Sequence, residues 1–278
     1  MYIEFMRKVF NLTNRYVILI TVLILYSLVT NVYAAFFMAG NTKFIGLILA
    51  VIILILMSAV FTAGWCKMVV AAIDKPESDE PNALIKIFPE GVGEYILPIL
   101  GSLLVLAVFF CITLGLTFHA GSHFIGNPHI DISKLAKIGN DMTAAKSFMD
   151  SLSPVQIKQL LRWNQLFLLY LTSVYFLLFL YVPAIFYKCA NPFKAFFISL
   201  KDLFSKKILK TTGIFFAVFL ANMLISMLTA IFSSNTIMSF LVTLLGFYIF
   251  TASVVGIFYY YNENFVKSYL GQNIDIKI

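Results

Sequence analysis

His119 and His123 stand at i, i+4 near the end of a long apolar segment, with His129 and Asp131 following. On a helix, that spacing puts two imidazoles on one face, where they could hold a metal with a third ligand from the loop. Gly121 and Ser122 separate them and no Glu completes an HExxH pattern, so solvated surface histidines fit the sequence as well. Asn222, Ser226 and Thr229 fall on one helical face of another apolar segment. They could line a polar pocket or simply hydrogen-bond between helices. Lys194, Lys201, Lys206, Lys207 and Lys210 crowd into one short stretch suited to anionic head groups or a protein partner. Cys66, Cys111 and Cys189 make no close pair, which implies packing residues rather than a disulfide framework. Walker A, Gly-x-Gly-x-x-Gly, nucleophile-elbow and CxxC patterns are absent, and Gly91-Val92-Gly93 reads as a hinge. No Asp, Glu, Lys, Arg or His lies in the middle of an apolar segment, which weighs against proton-coupled transport and intramembrane proteolysis. These observations predict a protein that is not an enzyme and needs no cofactor.

The elements that carry these residues are membrane spans. The 278 residues are 61% hydrophobic and 12% charged, and the mean hydropathy is +0.92. Soluble domains sit near half apolar and a quarter charged. Six apolar stretches, near 16–38, 44–66, 95–117, 165–187, 211–232 and 236–260, reach the spanning length of about 20 residues. Tyr16, Trp65, Tyr95, Trp163, Tyr187 and Tyr259 to Tyr261 frame them as interfacial aromatics. The net charge of +7 then reflects topology and anionic lipid, and no basic–aromatic interleaving points to nucleic acid.

With the N-terminus inside, the inner segments hold 14 basic residues and the outer ones 6, so the positive-inside rule puts both termini in the cytosol. The outer loop over 118–163 carries five of those six and is long enough to be exported regardless of charge. Arg7, Lys8 and Arg15 before an apolar run ending in Val32-Tyr33-Ala34 also resemble a cleavable signal peptide. The run continues through Met38 at spanning length, which favours a retained first span.

Two shorter elements flank the spans on the inner side. In 192–205, Phe193, Phe196, Phe197, Leu200, Leu203 and Phe204 recur at helical spacing, with Lys194, Ser199, Lys201, Asp202 and Ser205 opposite. Asn191 can cap this helix and Pro192 suits its first position. Residues 1–15 repeat the pattern, with Glu4, Arg7, Lys8, Asn11 and Arg15 on one face and Phe5, Val9 and Leu12 on another. Each element leads into a span, an Asn-Thr turn (Asn41-Thr42, Asn235-Thr236) and a second span. This order predicts a parallel repeat of residues 1–73 and 192–265. Ala217 with Ala221, and Ala252 with Gly256, are small-xxx-small pairs that allow close helix contact. The inner loop 67–94 is acidic and broken by Pro76, Pro81 and Pro89, with Pro89 opening span three. In the outer loop a helix is expected over 135–152, and Ser153, Pro154 and Gln156 form a capping-box start for a helix running unbroken into span four. Pro183 should kink or end span four.

Pro183, Ala195, Phe196, Ser199, Leu200, Leu203, Lys207 and the closing Tyr259-Tyr260-Tyr261-Asn262-Glu263 carry a family resemblance. This chain resembles the six-helix membrane domain fused to some bacterial glycerophosphodiester phosphodiesterases, and related membrane families of unknown function. The resemblance implies fold and location. The phosphodiesterase chemistry of such proteins belongs to a separate soluble domain that nothing here matches, so no catalytic residue carries over.

The expectation is therefore an all-α polytopic protein of the bacterial cytoplasmic membrane, with six transmembrane helices and two amphipathic helices at the cytosolic face. Residues 1–278 form one membrane domain: a first unit 1–73, a central hairpin 74–191, a second unit 192–265 and a tail 266–278. It would work through anionic lipid, a membrane-protein partner or a second copy of itself. The alternative is a permease or export component for a small or lipid-like substrate, with Asn222, Ser226 and Thr229 lining its passage.

Overall fold

Long apolar runs bounded by polar turns leave the backbone no way to satisfy its hydrogen bonds in lipid except within helices. The computed structural model describes residues 2–39, 44–74, 83–126, 146–148 and 150–267, and among these no strand occurs. The principal elements are α1 (Tyr2–Arg15), α2 (Ile18–Ala39), α3 (Phe44–Asp74), α4 (Ala83–Phe124), α5 (Pro154–Leu178), α6 (Tyr181–Tyr187), α7 (Pro192–Leu203), α8 (Ile208–Ile231) and α9 (Thr236–Tyr261), with a π-helical turn at Asn262–Val266. Among the described residues, six helical stretches are long and apolar enough to cross a membrane: α2, α3, α4, α5 continued by α6, α8, and α9 with its π turn. The chain is a multi-pass membrane protein. The turn at 41–42, the 75–80 acidic segment, most of the expected 135–152 helix, and the tail beyond Lys267 lie outside the described residues.

Two boundaries differ from the sequence expectation. Pro89 does not open the third span, because α4 begins at Ala83 and runs through both Pro89 and Pro98. Gly91 is a packing residue rather than a hinge: a Cβ there would lie 2.5 Å from the Cβ of Lys67 and 2.9 Å from the carbonyl of Ala63. Gly64 likewise leaves room for the Phe88 ring. The two glycines let α3 and α4 approach at contact distance. The break in the fourth span falls at Phe179 and Leu180, where a proline at 183 forbids the carbonyl of Phe179 its normal bond; the helix resumes with the Ala184 amide on Leu180 at 3.1 Å.

Two caps match their sequence signatures. The Asn191 side chain accepts from the Lys194 amide with Pro192 at the first position of α7. Ser153 and Gln156 bond reciprocally, amide to side chain, at 3.0 and 3.3 Å, and α5 runs on without a break past Trp163. Asn235 caps α9 in the same manner.

The chain divides into two compact units, one of Met1–Val105 with Leu177–Ile278 and one of Leu106–Phe176. In the smaller unit, Phe118, Trp163 and Phe167 form an aromatic trio, and Gly121 clears space for the indole, which donates to the Gly126 carbonyl at 3.0 Å. In the larger unit the buried core gathers where α3 and α9 end: Met68, Val69 and Ala72 of α3, Leu180, Tyr181, Ala184 and Ile185, Leu203, Ile214, Phe215, and Val255, Phe258, Tyr260 and Tyr261 of α9. The remaining stretches of α2, α3, α8 and α9 expose aliphatic side chains such as Leu25, Val29, Ile48, Ile52, Leu224 and Leu241. That surface is what a hydrocarbon solvent accepts.

The short helices dock on that core in different ways. α1 runs antiparallel beside α9: Phe5 meets the Tyr259 and Tyr260 rings, Val9 meets Gly256, and Asn14 accepts from Tyr248 at 2.7 Å. Ala217, Ala221, Ala252 and Gly256 face this contact and, with Phe5 and Val9, line an apolar cavity of about 50 Å³. The small residues thus admit a third helix as well as bringing α8 and α9 together.

Candidate functional site

α7 is held by what its sequence makes polar. Ala195, Ser199, Asp202 and Leu203 are its buried residues, while Phe193, Phe197 and Phe204 are 56%, 68% and 60% exposed. Asp202 is the anchor. Both its carboxylate oxygens accept from the Lys188 ammonium, at 2.9 and 2.7 Å, and the Tyr261 hydroxyl donates to the second at 2.6 Å. The side chains of Lys188 and Asp202 are 19% and 4% exposed, so the pair is largely dry. Burying a charge in this way costs least where it is paired and hydrogen-bonded. Around it, the Tyr181 hydroxyl donates to the Pro192 carbonyl at 3.1 Å, and the Tyr181 ring meets Phe196 edge-on. Gly101 of α4 leaves room for the Pro192 ring, which a Cβ would meet at 2.8 Å.

The five lysines proposed from sequence separate into two groups. Lys194, Lys201 and Lys206 are exposed. Lys207 and Lys210 turn inward to the π-helical turn. Lys207 donates to the Asn264 carbonyl and lies over the Phe265 ring; Lys210 donates to the Asn264 side-chain oxygen at 2.8 Å and lies over Tyr260. Burial, reinforced by the Lys210 cation, pushes the Lys207 ammonium below its ordinary pKa; Asp202 pulls the other way and Lys188 adds to the depression. In the π-helical turn Asn262 donates to Asp74 of α3 at 2.9 Å, while Asn264 receives Lys207, at the N-cap of α8, and Lys210 of α8. Sequence reasoning singled out Tyr259 to Glu263 but missed these pairings. Lys188 and Asp202 were visible as isolated charges, and nothing local joins Asp202 to Tyr261.

The other candidates are not brought together. Asn222 donates to the Val218 carbonyl and across to Ser253 of α9 at 3.2 Å. Ser226 and Thr229 are exposed, with hydroxyls bonded back to carbonyls of their own helix. His119 and His123 share a helical face near the end of α4, both exposed, and His129 and Asp131 lie outside the described residues. Among the described residues, no group of three His, Cys, Asp or Glu side chains is placed to hold a metal. Cys66 is buried, Cys111 exposed and Cys189 half-buried, all as free thiols.

Fold and site together define a helical multi-pass membrane protein with a buried ion-pair centre at one end. No family model, curated protein or solved structure matches the chain.

Proposed function

We propose that the protein is a non-enzymatic scaffold of a bacterial cytoplasmic membrane, with both termini in the cytosol, that engages anionic lipid through α7. One observation carries this reading. A helix pinned from its polar side by Asp202 turns Phe193, Phe197 and Phe204 outward, with exposed Lys194, Lys201 and Lys206 beside them. Exposed aromatics rimmed by lysines are the chemistry of an amphipathic helix lying in the head-group region, where each lysine contributes on the order of 1 kcal/mol. The count of basic residues supports the cytosolic side for this end.

The same proposal keeps residues 1–73 and 192–265 as parallel units, supported by the shared order of a short helix and a spanning hairpin in α1–α2–α3 and α7–α8–α9. It also keeps the resemblance to the phosphodiesterase-associated membrane domain as a statement of fold and location. The permease alternative draws no support from Asn222, whose amide is spent on Ser253 and its own helix.

The test reconstitutes the full-length protein in nanodiscs of zwitterionic lipid with and without phosphatidylglycerol. The proposal predicts that the anionic lipid raises thermal stability and that Phe193→Ser/Phe197→Ser/Phe204→Ser removes most of the gain. Equal stability in both lipids would refute the anionic-lipid role.

A further inference from the structure

One face of α5 grades from charge to hydrocarbon as the fourth span begins. Lys158, Arg162, Gln165, Leu166 and Leu169 fall at i, i+4, i+7, i+8 and i+11, within a single stripe of the helix. Lys158, Arg162, Gln165 and Leu169 are exposed and Leu166 is half-buried. Opposite the last four stand Ala120, Gly121, Phe124 and Ile125 at the end of α4, and the two walls bound a groove of about 430 Å³. A Cβ at Gly121 would lie 2.9 Å from the Leu166 side chain, so the glycine lets the walls approach. The Trp163 indole on the Gly126 carbonyl at 3.0 Å and the Gln159 amide on the Ile125 carbonyl at 3.4 Å tie α5 to the end of α4. The whole groove belongs to the smaller compact unit, Leu106–Phe176.

The charge of that unit is positive. In sequence it holds Lys134, Lys137, Lys146, Lys158 and Arg162 against Asp131, Asp141 and Asp150, and its three histidines add no negative charge. Asp131, Lys134, Lys137 and Asp141 lie outside the described residues. Asp150 is the one acid of the unit among the described residues; it is exposed and forms no ion pair with Lys158 or Arg162. A guanidinium and an amide without protein partners among the described residues therefore stand at the head of an apolar groove.

Trp163 marks the head-group level. From there the α5 stripe descends through Leu166 and Leu169 into hydrocarbon. A free phosphate would match only the upper half of this profile, and a bare hydrocarbon chain only the lower. A molecule with an anionic phosphate and an acyl chain matches both. A planar guanidinium can take two phosphate oxygens at once.

We propose that this groove holds one anionic phospholipid, its phosphodiester on Arg162 with Lys158 and Gln165 beside it, and one acyl chain along Leu166 and Leu169. The site shares no residue with α7, so it stands or falls independently of the function proposed above.

The test places full-length protein in phosphatidylcholine nanodiscs with a trace of phosphatidylglycerol, or of phosphatidylcholine, that carries a diazirine in one acyl chain. After illumination, peptide mass spectrometry reads where the lipid is attached. Label from phosphatidylglycerol on Phe124, Leu166 and Leu169 should exceed that from phosphatidylcholine about 30-fold, from two cations at about 5-fold each. Arg162→Gln should cut the excess about 5-fold, and Lys158→Gln/Arg162→Gln should bring the two lipids level. Arg162→Lys should keep most of the excess, which separates lost charge from lost folding. Lys194→Gln/Lys201→Gln/Lys206→Gln should leave it unchanged, so that failure here and failure of the α7 proposal are distinguishable. Excess inorganic phosphate should not reduce the label; displacement by phosphate would overturn the lipid as occupant. Equal labelling by the two lipids in the wild type, or an excess that survives Lys158→Gln/Arg162→Gln, would overturn the site itself.

Discussion

α1 and α7 have the same written pattern and opposite placements. Each is a short helix with an apolar stripe, a charged stripe and a span beginning a few residues later. α1 turns Val9 and Thr13 inward and leaves Glu4, Arg7, Lys8 and Arg15 exposed, as a helix on a soluble protein would. α7 turns Ala195, Ser199, Asp202 and Leu203 inward and leaves Phe193, Phe197 and, at its C-cap, Phe204 exposed. Helical periodicity reveals that a face exists but not which medium it meets. Next to a membrane the apolar face has two acceptable partners, protein and lipid. The choice is made elsewhere in the chain, by Gly256 offering α1 a flat surface and by Lys188 and Tyr261 offering Asp202 a charge partner.

If this difference is set by those partners, removing them should break it, most severely at Asp202. Asp202→Ala leaves the Lys188 ammonium buried without its carboxylate. A loss of about 3–5 kcal/mol in unfolding free energy is expected for the detergent-solubilised protein. Replacing the whole centre with apolar groups, as Lys188→Met/Asp202→Leu/Tyr261→Phe, should recover most of that loss, because the penalty lies in the orphaned charge. On the α1 side, Gly256→Leu should cost about 1–3 kcal/mol and expose the 1–15 segment to protease, whereas Gly256→Ala should be close to neutral. A Cβ at that position meets Val9 only at 3.6 Å, an ordinary contact. Phe197→Ala should change stability in detergent by less than about 0.5 kcal/mol, as for an exposed site, while weakening association with lipid.

The smallest effect concerns pH. Because the native environment depresses the Lys207 ammonium, the unfolded chain binds the proton more tightly. Stability should therefore rise as pH climbs from the lowered native value toward 10.5, and Lys207→Gln should flatten that rise.

What was legible in the sequence was local. Spans followed from uninterrupted apolar length, and the starts of α5 and α7 followed from Ser153 with Gln156 and Asn191 with Pro192, whose capping partners lie three residues away. The break before Pro183 was legible because proline acts on the carbonyl four residues earlier. Contacts across distance were not legible. Asp202 looked like one polar residue on a solvated face because Tyr261, its hydroxyl partner, is 59 positions away. Pro89 looked like a helix start because proline suits the first helical turn, and nothing local marks that α4 begins at Ala83. The π turn left no sequence mark beyond Asn262 and Asn264, whose partners are on α3 and α8.

The central claim is that α7 shows its phenylalanines to lipid while α1 shows its apolar side to protein. A photoreactive benzoyl-phenylalanine replacing Phe197, and separately Phe5, in the protein reconstituted into bilayers tests it directly. Mass spectrometry after illumination should find phospholipid attached at position 197 and a cross-link from position 5 to the α9 segment around Tyr259 and Tyr260. A protein cross-link at 197, or lipid attached equally at both positions, would contradict the account.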